Sequence, residues 1–137
     1  MKRKYKLVLT ALIAGLAILL LVSIEFPLID PSFATKATLR FHYVDKSIDT
    51  TMTDKDLRAL KEILRGRAYR DSPACGFGID TSITLTDGHK SITFCPACDT
   101  CTTIQIGETN RYIDISEKER SRFDRIVAKY GMTFPCE

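Results

Sequence analysis

The chain has 137 residues, 45% of them apolar and 27% charged, with a formal charge of +3, five cysteines and no tryptophan. Setting aside an N-terminal apolar run leaves roughly 100 residues, which suits one domain and excludes two. Four of the 20 basic and one of the 17 acidic residues precede position 26, so the rest carries 16 of each; a neutral domain offers no counterion release, which excludes nucleic acid as a partner.

Lys2, Arg3, Lys4 and Lys6 precede an uncharged run from Leu7 to Ile24, and Glu25 follows it. As a helix at about 1.5 Å per residue, the run covers about 27 Å, close to the hydrocarbon thickness of a bilayer. The positive-inside rule places the basic tip in the cytoplasm and everything after residue 25 outside. Residues 1–25 are therefore expected to be a basic tip and single-pass transmembrane signal anchor, contacting the cytoplasmic membrane through residues 7–24. The alternative is a cleaved signal peptide and a secreted domain, with small Ser32 and Ala34 where a signal peptidase would inspect. Against it, the apolar run exceeds the ~7–15 residues usual for such peptides. No cysteine precedes Cys75, so a lipid-modified mature N-terminus is excluded. Both readings place the domain in an extracytoplasmic, bacterial-envelope setting. Residues 26–36, with Pro27 and Pro31, read as a short tether, and residues 37–137 as the domain.

From Ala37 to Val44, Leu39, Phe41 and Tyr43 alternate onto one face, the pattern of a half-buried strand. Thr53 opens a helix with Asp56 three residues on, an apolar stripe of Leu57, Leu60 and Leu64, and a stop at Gly66. Arg65, Arg67 and Arg70 near its end read as solvated charges favoured by the helix dipole, or as an anion patch. After a loop with Pro73, Cys75 and Gly76, residues Ile79 to Ile115 predict a meander of four strands. Asp87-Gly88 reads as a two-residue turn that sets Thr86 opposite His89, Ile83 opposite Ile92 and Thr81 opposite Phe94. One face then gathers Ile83, Leu85, Ile92 and Phe94, continued by Ile104, Ile106, Ile113 and Ile115. The other gathers Ser82, Thr84, Thr86, His89, Ser91, Thr93 and Cys95. Ser116 and Glu119 form a capping box before a helix with Phe123, Ile126, Val127 and Tyr130 on one stripe and Gly131 at its end.

The expected fold is α+β: an N-terminal transmembrane helix plus a two-layer β-α-β-β-β-β-α domain, its antiparallel sheet carrying two helices on one face. That order resembles the TATA-binding-protein-like and related helix-grip folds in element order alone, and it implies no function.

The cysteines carry the chemistry. Outside the cytoplasm, the run Cys95-Pro96-Ala97-Cys98-Asp99-Thr100-Cys101 predicts disulfides first. Cys95 ends one strand and Cys101 starts the next on the same face, which puts them within bridging distance as opposed residues. Cys75 and Cys136, in loops beside prolines, are expected to form the second bridge. Cys98 is left at the loop tip as a free thiol, or as the link in a covalent homodimer. A bond from Cys98 to Cys95 or Cys101 is the main rival. Cys-Pro-Ala-Cys resembles the Cys-Pro-x-Cys active site of the thioredoxin and glutaredoxin families, which implies thiol–disulfide exchange. In those families the motif opens a helix that activates the first thiol, whereas Thr102 to Ile106 reads as a strand.

The metal alternative is Cys95, Cys98 and Cys101 with His42, which falls on the polar side of its strand. His89 is excluded at about 20 Å along the strand from Cys95. No Gly-x-Ser-x-Gly elbow, calcium loop or oriented histidine is legible. The reading is a non-catalytic, disulfide-stabilised module without a cofactor, binding an unknown extracytoplasmic protein or ligand through the polar sheet face and cysteine-rich hairpin. Its alternative is a thiol–disulfide or metal-handling envelope protein.

Overall fold

A computed structural model describes residues 2–78 and 80–136, with no side chain described at residues 2–4, 6 or 23. The side chains of Lys2, Arg3, Lys4 and Lys6, the charges of the expected basic tip, and Ile79, the expected start of the meander, lie outside what is described. Helix α1 spans Lys2–Glu25, and its large apolar side chains between Leu7 and Val22 stand exposed. Among the described residues no helix is long and apolar enough to cross a membrane. Described side chains from 7 to 22 cover about 24 Å, against about 30 Å of bilayer hydrocarbon.

The expected tether is stitched to the domain. β1 (Leu28–Ile29) pairs antiparallel with β4 (Gly66–Arg67), and a single 3-10 turn at Pro31–Phe33 follows, with Pro31 and Ala34 buried. Arg65 pairs with Asp30 at 3.4 Å and Arg67 donates to the Phe26 carbonyl at 3.3 Å. Two of the three arginines near the helix end thus fasten the preceding segment.

Seven strands form one antiparallel sheet. They are β2 (Lys36–Tyr43), β3 (Lys46–Thr51), β5 (Tyr69–Arg70), β6 (Thr81–Thr86), β7 (Ser91–Pro96), β8 (Thr103–Ile106) and β9 (Arg111–Asp114), in the spatial order β3-β2-β6-β7-β8-β9-β5. β3 is an addition to the expected order. Its sequence, Lys-Ser-Ile-Asp-Thr-Thr, holds one large apolar residue, and the strand is specified by backbone pairing with β2 from Tyr43↔Lys46 to Thr38↔Thr51.

Helices α2 (Asp54–Ile63) and α3 (Glu117–Ala128) carry the expected caps, Thr53 and the Ser116–Glu119 capping box. Their apolar stripes, Leu57, Leu60 and Leu64 with Phe123, Ile126 and Val127, share one core with Leu39, Phe41, Ile83, Leu85, Phe94, Ile104 and Ile113 of the sheet. The α+β architecture with both helices on one sheet face follows from these two periodicities.

The β6–β7 hairpin differs from its expected register by two residues. Thr86 pairs with Ser91, Leu85 with Ile92, Thr84 with Thr93 and Ile83 with Phe94, so Asp87–Lys90 is a four-residue loop. Side-chain bonding favours the longer turn: the Asp87 carboxylate accepts from the amides of His89 at 2.8 Å and Lys90 at 2.7 Å. Those bonds hold the Asp87 carboxyl below the ordinary carboxylate range. Gly88, at φ 94°, supplies the left-handed residue. An offset of two leaves every side chain on the face assigned from sequence, because the strand period is two.

A polar knot joins the helices. Asp56, 4% exposed, accepts hydrogen bonds from Lys129 Nζ at 2.5 Å, the Tyr130 hydroxyl at 2.8 Å and Thr53 Oγ1 at 3.0 Å. Burial alone would raise the Asp56 pKa, but these donors outweigh it and hold the carboxyl below its usual value. A depressed folded pKa stabilises the fold above the unfolded value, and that contribution is lost as pH falls through the folded value. The Lys129 side chain is 53% exposed, so solvent screening reduces its share. Asp56→Asn is expected to cost about 1–3 kcal/mol near neutral pH. Urea denaturation across the acid range should show wild type losing this increment below about pH 4 while the variant stays flatter; parallel pH profiles would contradict the assignment.

Candidate functional site

The water-facing side of the sheet forms a groove of about 590 Å³. Hydroxyls of Thr38, Ser82, Thr84 and Thr93 line its floor, and Thr84 and Thr93, paired across β6 and β7, lie with their oxygens 3.0 Å apart. Arg40 and Asp49, opposed on β2 and β3, form one flank with a 3.8 Å ion pair. The other flank is the turn after β8. Gly107, at φ 58°, donates its amide to the Thr93 carbonyl at 2.8 Å, and this brings Glu108 to the rim.

Cys95 closes one end. It is 4% exposed, pairs in register with Gln105, and its thiol donates to the Gly107 carbonyl at 3.8 Å. Burial pushes the thiol pKa up, and the charge of Glu108 adds to this. Such a thiol stays protonated and is a poor nucleophile. Beyond it the register Cys95↔Gln105, Gln105↔Tyr112 and Tyr69↔Tyr112 carries one row across the same face. There the Phe77 ring packs against Tyr112 at 5.4 Å between centroids, tilted by 44°, so the segment after Arg70 covers this end of the sheet. On the neighbouring strand the Tyr69 hydroxyl donates to Asp114 at 2.7 Å; burial and the carboxylate push its pKa up to about 12.

The disulfides differ from those expected. Cys75 pairs with Cys101 and Cys98 with Cys136, at Cα separations of 6.1 and 5.1 Å, and Cys95 is the free, buried thiol. β7 continues through Pro96 and β8 starts only at Thr103, so Gln105, not Cys101, opposes Cys95. Cys101 stays in the loop and meets Cys75 in the neighbouring one. Cys98 donates its amide to the Gly76 carbonyl at 2.8 Å, accepts from the Cys136 amide at 3.1 Å, and bonds to the C-terminal tail. The link expected to join two copies through Cys98 is taken up within the chain. The alternative metal set of Cys95, Cys98, Cys101 and His42 is not assembled: Cys98 and Cys101 sit in separate disulfides, and His42 is exposed near the end of β2. Cys95 and Cys98 do not bridge, and β8 follows them where the thioredoxin resemblance requires a helix. Across sequence separations of 26 and 38, each bond constrains the unfolded chain by about 3.5–4 kcal/mol on the chain-entropy account.

Arg120 organises these loops. It is 4% exposed in α3, donates to the carbonyls of Ala97 at 3.1 Å and Cys101, pairs with Asp124 at 2.8 Å, and lies 4.2 Å from the Phe134 ring centroid. Asp99 adds a second tie: its carboxylate accepts from the Gly76 amide at 2.9 Å and the Cys101 amide at 3.2 Å, and the Gly76 bond above all holds its pKa down.

No protein-family model, curated protein or solved structure matches the chain.

Of the residues expected on the polar face, Ser82, Thr84, Thr93 and Cys95 line the groove, whereas Thr86, His89 and Ser91 lie at or beside the hairpin turn. Sequence reading missed Arg40, Asp49, Glu108 and Arg120. Arg40 was legible as the polar alternate between Leu39 and Phe41. Arg120 was legible too, three residues before Phe123 and seven before Val127, hence in phase with the buried stripe.

Two measurements follow. Under native conditions iodoacetamide should label no cysteine of the oxidised protein, and after denaturation without reduction only Cys95; native labelling of Cys98 would overturn the pairing. Arg120→Met, which strands the buried Ala97 carbonyl and the half-buried one of Cys101, is expected to lower stability by about 2–4 kcal/mol; unchanged urea denaturation would show that the loops hold without it.

Proposed function

We propose that the chain is a membrane-anchored, extracytoplasmic binding module that holds a small hydrophilic ligand in the groove. The observation that carries this is the polar sheet face: a row of hydroxyls between an Arg40–Asp49 flank and a Glu108 flank, opposite a face covered by helices. Hydroxyls on a rigid sheet can exchange hydrogen bonds with the hydroxyl or amide groups of a ligand, and the flanking charges orient it. Binding is favoured over catalysis because the groove's thiol is held protonated by burial and no histidine is among its described lining residues.

Anchoring is supported by the uncharged run from Leu7 to Ile24, the four basic residues before it and the exposed apolar surface of α1. Two disulfides suit an oxidising compartment.

The test is a melting screen of the full chain in detergent against oligosaccharides and short polar peptides. A true ligand stabilises by about 2.7 kcal/mol at a hundredfold excess over its Kd. Arg40→Ala with Thr84→Val should abolish that shift, read against the variant's own unliganded melt. An equal shift in the variant, or no shift from either class, would remove the groove from this role. For the anchor, alkaline extraction should leave the chain in the membrane pellet. Ile13→Arg with Leu16→Arg, at about 2.5–3.5 kcal/mol per arginine, should release it; release of the wild type would refute anchoring.

A further inference from the structure

We propose that Cys75, Cys101 and Asp99 form a redox-gated site for a thiophilic divalent cation of the zinc class. The two sulfurs and a carboxylate oxygen all lie within 4.8 Å of one another. Donors around a tetrahedral zinc, at about 2.0–2.3 Å from the metal, stand roughly 3.5–4 Å apart, so small side-chain rotations complete the triangle.

The loops that carry these residues are held together by contacts independent of the sulfur–sulfur bond. Asp99 accepts from the Gly76 amide at 2.9 Å, Cys98 donates to the Gly76 carbonyl at 2.8 Å, and Arg120 bonds the carbonyls of Ala97 and Cys101. Breaking the Cys75–Cys101 bond therefore leaves both thiols facing Asp99. Each Asp99 oxygen takes one amide bond and keeps a further lone pair for a metal. Cys75 and Cys101 are half-buried and Asp99 is exposed, so reductant and cation both have access.

Two thiolates and one carboxylate select zinc over calcium or magnesium, and water completes the fourth position. Three anionic donors exceed the cation's charge by one; the Arg120 guanidinium, bound at the Cys101 carbonyl and paired with Asp124, lies beside the site. Among the described residues no comparable grouping forms around Cys98–Cys136. Gating follows from the electron balance. An external dithiol gives two electrons and two protons, its own sulfurs close into a cyclic disulfide, and the Cys75–Cys101 bond becomes two thiols. Cation binding then releases both thiol protons to solvent.

The test uses the full chain in detergent, reduced with dithiothreitol, desalted without oxygen and titrated with Zn²⁺ against a chromophoric chelator. One equivalent is expected to bind to the reduced chain and none at comparable affinity to the oxidised chain. Asp99→Asn should weaken binding about tenfold or more. Because reduction also frees Cys98 and Cys136, alkylation of the zinc-loaded wild type, mapped by mass spectrometry, locates the site without relying on a variant's folding. Protection of Cys75 and Cys101 with modification of Cys98 and Cys136 is the expected pattern. Protection of Cys98 and Cys136 instead, equal binding by the oxidised chain, or unchanged affinity in Asp99→Asn would each overturn the proposal.

Discussion

Burying a guanidinium is costly unless its donors find acceptors, and the cysteine-bearing end of this domain is arranged around that requirement. Arg120 leaves α3 on the same stripe as Phe123 and Val127, so helix packing forces it inward. There it meets carbonyls of Ala97 and Cys101, which belong to a loop too irregular to satisfy them within a strand. Phe134 covers the guanidinium and leads the tail to Cys136, whose partner is Cys98. One side chain thus ties the 97–102 loop and the tail that carries Cys136 to the same helix.

Sheet parity is the second organising constraint. Assigning Ile83, Leu85, Ile92 and Phe94 to one face requires only alternation, and the fold keeps that assignment even though the hairpin is two residues longer than Asp87-Gly88 suggests. The polar face was legible for the same reason. Its threonines and serines oppose helix-facing apolar residues one position away along each strand.

What was not legible from sequence has a physical cause in each case. β3 carries one large apolar residue, so alternation has nothing to register, and backbone pairing with β2 specifies it. The disulfide partners depend on where β7 and β8 stop. Continuing β7 through Pro96 opposes Cys95 with Gln105, which changes the pairing of all five cysteines. Side-chain bonds such as those of Asp87 and Asp99 decide loop shape, and their partners become identifiable only when distant residues are brought together.

Residues 28 to 34 look like a linker by composition, yet β1 pairs with β4, Pro31 and Ala34 are buried, and Arg65 and Arg67 fasten the stretch. A free linker the length of residues 26–36 would sweep a sphere of roughly 18 Å r.m.s. radius. Here that search volume is given up. Whatever fixes the chain at residues 26 and 27 therefore also restricts the heading of the whole sheet, because the segment that follows moves with the domain and not apart from it.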